Sequence, residues 1–438
     1  LFILQSIFKL AASQTISQAL MKTTRDVVII GGGAIGLCTA YYLSQHGLEV
    51  TILEKNEIGS GCSFGNAGLI VPSHIIPLAA PGVIAKGLKW MFNPESPFYL
   101  EPRFDLQFLS WLWKFSRSCN AAQVQRAVPL LHALCQNSAQ LFAEIQHSKA
   151  FSFDLERRGL LMLYQTEKEW RAEQHAVELA REMGMAVENL GAGQIRELDA
   201  NLSTNAGGGI YYPNDCHLDP ARFVNALAQF LRNRDVQMIT NTTALQLGAK
   251  DGKVTTLKTS RGDFSAETFV LASGAWSPEL LRTLRLRLPV QAGKGYSITI
   301  PKPKHAPRIP LLLAEARVAV TPLGERLRFA GTMELAGNDL AINHRRVRAI
   351  LNAVPKYLPH LGAIDLPRAE VWAGLRPCTP DGLPYIGAFH EYDNLIAATG
   401  HAMLGVTLAP ITGKLVSDLI LKQPIALDMN ALHPERFD

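Results

Sequence analysis

The stretch "DVVIIGGGAIGLCTAYYLSQHGLEVTILEK", residues 26–55, leaves the chain little freedom in how its fold begins. Val27 to Ile30 form a short, unbroken apolar run, as a strand buried on both faces requires. Gly31, Gly33 and Gly36 follow with the spacing GxGxxG. A helix is predicted next, with apolar positions at Leu37, Ala40, Tyr41 and Leu43, ended by Gly47. "EVTILE" is the second strand. In such a βαβ unit the first glycine permits a tight turn, the second lets backbone approach a pyrophosphate, and the third lets helix and strand pack closely. Ala34 and Ile35 lie at the helix start, whose N–H groups suit a phosphate. Glu54 closes the second strand about twenty residues on, where a carboxylate accepts from ribose hydroxyls, and Lys55 follows it.

FAD and NAD share this fingerprint, so later segments must decide between them. "FVLASGAWS" (269–277) is another apolar strand, ending in small residues at Ser273 and Gly274 where backbone can approach a cofactor. "NLIAATGHAMLGVTLAPITGKLVSDLI" (394–420) reads as a strand that turns at Gly400 into a long helix. Gly400, Gly405, Val406 and Thr407 are its cofactor-facing candidates. The helix dipole there would stabilise negative charge on a reduced flavin ring. NAD has no need of this segment, so FAD is expected; an ordinary αβ packing unit is the alternative.

A chain of 438 residues, 47% hydrophobic and 18% charged, buries a core without disulfides and has room for two or three domains. The net charge of +5 falls short of a nucleic-acid binder, and no nucleic-acid partner is expected. Six cysteines without paired short spacing and twelve scattered histidines give neither a zinc motif nor a disulfide framework. A reduced, cytoplasmic protein without a metal is expected. The basic clusters Arg282/Arg285/Arg287 and His344/Arg345/Arg346/Arg348 read as solvated faces, with anionic lipid as the alternative. Residues 1–20 carry one charge, Lys9, and an apolar head too short to span a bilayer. Met21 reads as the natural start and 1–20 as an extension outside the fold, a peripheral membrane helix being the alternative.

"VWAGLRPCTPDGLPYIGA" (371–388) sets Arg376 among glycines, prolines and apolar residues, with Asp381 its one acidic neighbour in the run. A guanidinium keeps its proton and is costly to bury unpaired. Either Asp381 pairs with it, or an anion arrives from solution.

Five stretches together carry a resemblance: "VVIIGGGAIGLCTAYYL", "NAGLIVPSHIIPLAAPG", "KGYSITIP", "WAGLRPCTPDGLPYIG" and "TGHAMLGVTLA". In this order, over positions 27–409, they resemble the D-amino-acid oxidase superfamily of FAD-dependent oxidoreductases, and most of all its bacterial D-amino-acid dehydrogenases. The match is weak over 90–150 and 300–345, and the "HIIPL" run is a departure; these leave the exact substrate open. The resemblance implies an α/β fold with a Rossmann-like FAD-binding domain assembled from 21–75, 219–290 and 370–438. It implies a D-amino-acid oxidase-like α+β substrate domain with an antiparallel sheet, from 76–218 and 291–369. It also implies that Arg376 clamps a substrate carboxylate before the flavin, leaving Asp381 to an ordinary Pro-Asp-Gly turn. Tyr296, sharing a strand face with Lys294 and Ile298, is then a second carboxylate ligand or a core tyrosine. His401 donates to flavin, orients substrate or caps the helix. Asn66, Ala67 and Gly68 form a loop implied to touch the flavin, and Cys378 is a small filler.

The implied reaction is oxidative deamination of a D-amino acid, by hydride transfer from Cα to flavin N5, with electrons passing to a quinone-type acceptor. A D-hydroxyproline or other cyclic-amine dehydrogenase, or an oxygen-using glycine or sarcosine oxidase, is the alternative enzyme. A flavin-binding accessory protein without turnover is the non-enzyme alternative. Segment 87–115, with three tryptophans and six phenylalanines or tyrosines, reads either as lid and core or as a membrane-facing surface that reaches quinone.

Overall fold

The computed structural model describes residues 25–91, 95–364 and 366–438; the expectations for 1–20 and Met21 lie outside them. The glycine-turn segment folds as its pattern dictates. Strand Arg25–Ile30, helix Ala34–Ser44 and strand Val50–Leu53 follow one another, and the first strand lies centrally in a six-stranded sheet. Across that sheet run Tyr385–Ala388, Leu395–Thr399, Ala266–Leu271, Arg25–Ile30, Val50–Leu53 and Gln237–Ile239. All neighbours are parallel except the edge strand Tyr385–Ala388. Parallel strands need cover on both faces. Helices Ala34–Ser44, Pro220–Arg232 and Ala409–Ile420 share one core through Leu37, Leu43, Phe223, Leu227 and Val416.

The long helix begins at Ala409, not at Gly400. After strand Leu395–Thr399 comes a 3₁₀ turn, Ala402–Leu404. A proline at the second helical position, Pro410, suits that later start.

A nine-stranded sheet runs Glu370–Cys378, Gln291–Pro301, Arg326–Leu335, Val318–Leu323, Leu311–Leu313, Leu160–Tyr164, Gly208–Tyr212 and Glu188–Leu190, with Phe98–Leu100 beside Arg326–Leu335. Most of its pairs are antiparallel. The Arg376 strand, expected with the dinucleotide segments, pairs here with Gln291–Pro301. Helix His344–Tyr357 covers one face, where Val347, Ile350 and Val354 pack with Tyr296, Ile298 and Phe329. The other face looks into a cavity. The charged run 167–184, whose pattern reads as one helix, divides into Glu167–Ala172 and Gln174–Glu182 at Glu173.

Candidate active site

One cavity of about 1510 Å³ extends along both sheets, lined by Glu54 and Lys55 and also by Arg376. That exceeds the usual room of a single small-ligand pocket, roughly 300–1,000 Å³. The glycine turn shows what its first part is shaped for. A β-carbon on Gly31 (φ +117°) would overlap the Ala272 carbonyl, and one on Gly36 would overlap the Gly31 carbonyl. These two glycines serve the protein's own packing. Gly33 differs, since a β-carbon there would meet only Ser63 Oγ, at 3.3 Å. The space before Gly33 is thus open on the cavity side, as a bound pyrophosphate requires.

Gly31, Gly33, Ala34, Ile35, Glu54, Lys55, Asn66, Ala67, Ser273, Gly274, Gly405, Val406 and Thr407 all line the cavity. Gly36, Gly68 and Gly400 do not; they shape backbone behind it. Glu54 accepts from Gly32 N–H (2.8 Å) and Asn56 N–H (3.0 Å). A carboxylate offers about four acceptor sites, so two remain for ribose hydroxyls. Ala34 N–H goes to Ser63 Oγ (2.9 Å), a contact with no local signal in the sequence. Lys55 Nζ sits 3.2 Å from the Trp276 ring centre, and burial lowers its pKa. Thr407 Oγ1 donates to Leu69 O (2.9 Å).

Asn66 Oδ1 accepts from Gly68 N–H (2.8 Å), closing a local turn. That loop is held from the other sheet. Arg328, only 1% exposed, donates through Nη1 to Phe64 O (3.0 Å) and Asn66 O (2.8 Å), and through Nε to Thr299 Oγ1 (3.0 Å). In sequence it is merely one of two arginines in "RLRFAG".

At the other part of the cavity, Asp381 is not the partner of Arg376. Its two carboxylate oxygens take Arg436 Nε (2.7 Å) and Nη2 (2.8 Å), a bidentate pair with the chain's C-terminal segment. The one hydrogen bond of the Arg376 guanidinium is from Nη1 to Thr332 O (2.7 Å). Among the described residues no carboxylate pairs with it, and burial lowers its pKa. Gly295 lies under the guanidinium, where any β-carbon would overlap it. The Cys62 thiol donates to Leu375 O (2.7 Å); burial raises its pKa to about 11, so it stays protonated.

Two expected ligands, Tyr296 and His401, line the cavity and also have partners within the protein. Tyr296 shares its strand face with Lys294 and Ile298, as its spacing predicts, but that face is the one under helix His344–Tyr357. Its hydroxyl donates to Glu334 Oε2 (3.1 Å) and accepts from Asn343 N–H (3.3 Å), so its polar end is held within the protein while the residue still borders the cavity. Glu334 also meets Lys294 Nζ (3.5 Å) and Arg346 Nε (3.4 Å); Arg346, expected on a solvated face, is 4% exposed. His401 lines the cavity, but its Nε2 bonds Thr412 Oγ1 (2.9 Å) of the following helix. Burial lowers its pKa to about 3, leaving it neutral. It precedes the 3₁₀ turn rather than capping the long helix. One N–H of that helix start, at Ile411, goes to Ser138 Oγ (3.4 Å).

The family described as FAD dependent oxidoreductase matches residues 26–419. D-amino acid dehydrogenase from Granulibacter bethesdensis is 34% identical over 400 residues, 90% of this chain and 95% of that one. The protein of the same name from Paramagnetospirillum magneticum is 35% identical over 418 residues, covering 94% and 98%. Glycine oxidase from Geobacillus kaustophilus superposes with a TM-score of 0.76 at 25% identity, covering 95% and 99% of the two chains.

Proposed function

Since this chain belongs to the family of FAD-dependent oxidoreductases, we propose that it oxidises D-amino acids to 2-oxo acids and ammonia, with Arg376 anchoring the substrate carboxylate. FAD would be held by Gly33, Ala34 and Glu54 and, when bound, would supply the two-electron acceptor for the Cα hydride, so that the substrate amine becomes an imine. Water then hydrolyses the imine, releasing ammonia and the 2-oxo acid. The relatives named D-amino acid dehydrogenase support this choice of substrate.

One observation carries the reading: Arg376 faces the cavity and, among the described residues, its guanidinium bonds only a backbone carbonyl. A buried guanidinium left this way favours an incoming carboxylate, which takes two parallel N–H donors. Gly295 keeps the planar group accessible from the strand beneath. The hydride leaves an uncharged amine more readily, and neutral His401 brings no second charge to the cavity wall.

The electrons pass to a quinone-type acceptor. Helix Leu106–Ser118 supports a peripheral approach to the membrane, because Phe108 and Trp111 are buried while Leu106, Leu109 and Trp113 stay exposed on one side. Lys114 and Arg117 accompany that stripe, a composition that suits an anionic interface. No helix among the described residues is long and apolar enough to cross a membrane.

The test is an anaerobic screen of amino-acid enantiomers by flavin absorbance. D-enantiomers should bleach the flavin and their L-partners should not. Bleaching by L-enantiomers alone, or by no amino acid, would overturn the proposal.

A further inference from the structure

We infer that the site selects D-amino acids with bulky apolar side chains, and that Ala319 and Ala330 set this preference. The inference rests on Arg376 being the carboxylate anchor. From Arg376 the geometry leads directly to a row across the sheet. Its Nη1 is bonded to Thr332 O, and Ala330 lies two residues back on that strand. Ala330 pairs with Ala319, Ala319 with Leu312, Leu312 with Met162, and Met162 with Ile210, each on the next strand. All five line the cavity. Strand Gln291–Pro301, with Ser297 opposite Ala330, separates them from the arginine strand; neighbouring strands lie about 4.8 Å apart, so the two alanines stand roughly 10 and 14 Å from that strand.

The roof over this floor is the "HIIPL" loop. Ile75 is buried with Tyr164, Ile210, Tyr212 and Ala314, and a β-carbon on Gly382, beside the arginine strand, would press on Pro77. The floor row from Ala330 to Ile210 is apolar, the roof adds Ile75, Ile76, Pro77 and Leu78 beside a buried neutral His74, and charge returns at the far end with Glu169, Glu173, Glu315 and Arg317. A side chain lying here meets methyl and methylene groups. A charged side chain would lose its water there without gaining a partner. Glycine or alanine would leave the room above Ala319 and Ala330 unfilled, forgoing the contacts that a larger apolar group makes.

The test uses the holoenzyme and anaerobic flavin reduction by D-alanine, D-leucine, D-phenylalanine and D-aspartate. Catalytic efficiency with D-leucine and D-phenylalanine should exceed that with D-alanine by at least about tenfold, and D-aspartate should fall below D-alanine. In Ala319→Leu the D-leucine to D-alanine ratio should drop at least about fivefold, mainly through KM, because the added side chain takes up the substrate's space. Flavin content reports folding of that variant, and Ala330→Leu serves if it does not hold flavin. D-alanine or D-aspartate matching D-leucine in the wild type would overturn the inference and leave the proposed reaction standing. An unchanged ratio in a folded, flavin-bearing variant would overturn the role of the alanines. Failure of every D-amino acid to bleach the flavin would instead remove the proposed reaction itself.

Discussion

The two faces of the nine-stranded sheet treat buried charge in opposite ways. Under helix His344–Tyr357, Glu334 sits between Lys294 and Arg346 and takes the Tyr296 hydroxyl as well, while Asp339 adds a second carboxylate to Lys294 at 2.9 Å. Every charge there has an opposite one. On the cavity face Arg376 has a carbonyl and two protonated thiols nearby, and the acid closest in sequence is committed to Arg436. Arg328, on that same face, also has no carboxylate partner among the described residues, but it spends its donors on two carbonyls and Thr299 Oγ1, whereas Arg376 bonds one carbonyl beside the cavity. The contrast also bears on stability, because a balanced cluster depends on all its members while a lone guanidinium depends on none.

The largest expected effect lies on the paired face. Glu334→Gln leaves Lys294 and Arg346 without their shared acid, a loss of about 3–5 kcal/mol of stability. The melting temperature should fall by about 3–5 °C, read by flavin fluorescence, with turnover by the surviving folded enzyme near normal. A variant as stable as wild type would break the contrast.

Arg376→Lys should do the reverse. Lysine keeps the charge but loses the two-pronged geometry. The loss of about 2–4 kcal/mol in transition-state binding corresponds to roughly 30- to 1,000-fold in catalytic efficiency. Bound flavin and melting temperature should hardly move. A large fall in melting temperature with normal flavin reduction would make Arg376 a structural residue.

Asp381→Asn separates the two arginines of the closing segment. It should cost about 2–3 kcal/mol by leaving Arg436 half-paired, seen as a lower melting temperature, with efficiency little changed. Loss of efficiency without loss of stability would return Asp381 to Arg376.

The last effect is seen only as a pH dependence and concerns a third treatment of buried charge, protonation. Burial raises the Asp215 carboxyl from 3.8 to about 7, and the hydrogen bonds from Ser73 only partly offset this. Because the folded state holds the proton more tightly, the contribution is fully present below the ordinary carboxylate range and is lost as pH rises through about 7. Asp215→Asn should flatten this slope, of at most about 1.4 kcal/mol per pH unit, so that its melting temperature gains on wild type from pH 5 to pH 8. Parallel profiles would show that Asp215 is charged throughout.

The six-stranded sheet was largely legible because its signals are local. Val27–Ile30, the glycine spacing and Glu54 lie within one βαβ unit, and each acts on residues a few positions away. The cavity-facing Arg376 was legible too, since a lone arginine among prolines and glycines stands out against its neighbours. What stayed hidden depends on pairing across long separations. Tyr296 shows the limit: alternation places it correctly beside Lys294 and Ile298, yet nothing local says that a helix starting at His344 covers that face. His401 was placed at a helix start because Gly400 reads as the turn, whereas a 3₁₀ turn intervenes and the helix opens at Ala409. Ser63 and Arg328 had no signal at all, being ordinary residues whose partners are fixed only once the chain has closed.

Arg328 has a consequence for how the protein is assembled. Its guanidinium holds the Phe64 and Asn66 carbonyls, which belong to a loop of the dinucleotide side, while its own strand belongs to the sheet beneath the substrate. Those two carbonyls have no reason to lie where they do until that sheet has formed, and the arginine has nowhere to send its donors until the loop arrives. If the loop meets the cofactor and the sheet meets the substrate as proposed, a change at Arg328 would disturb both at once, because one side chain joins them.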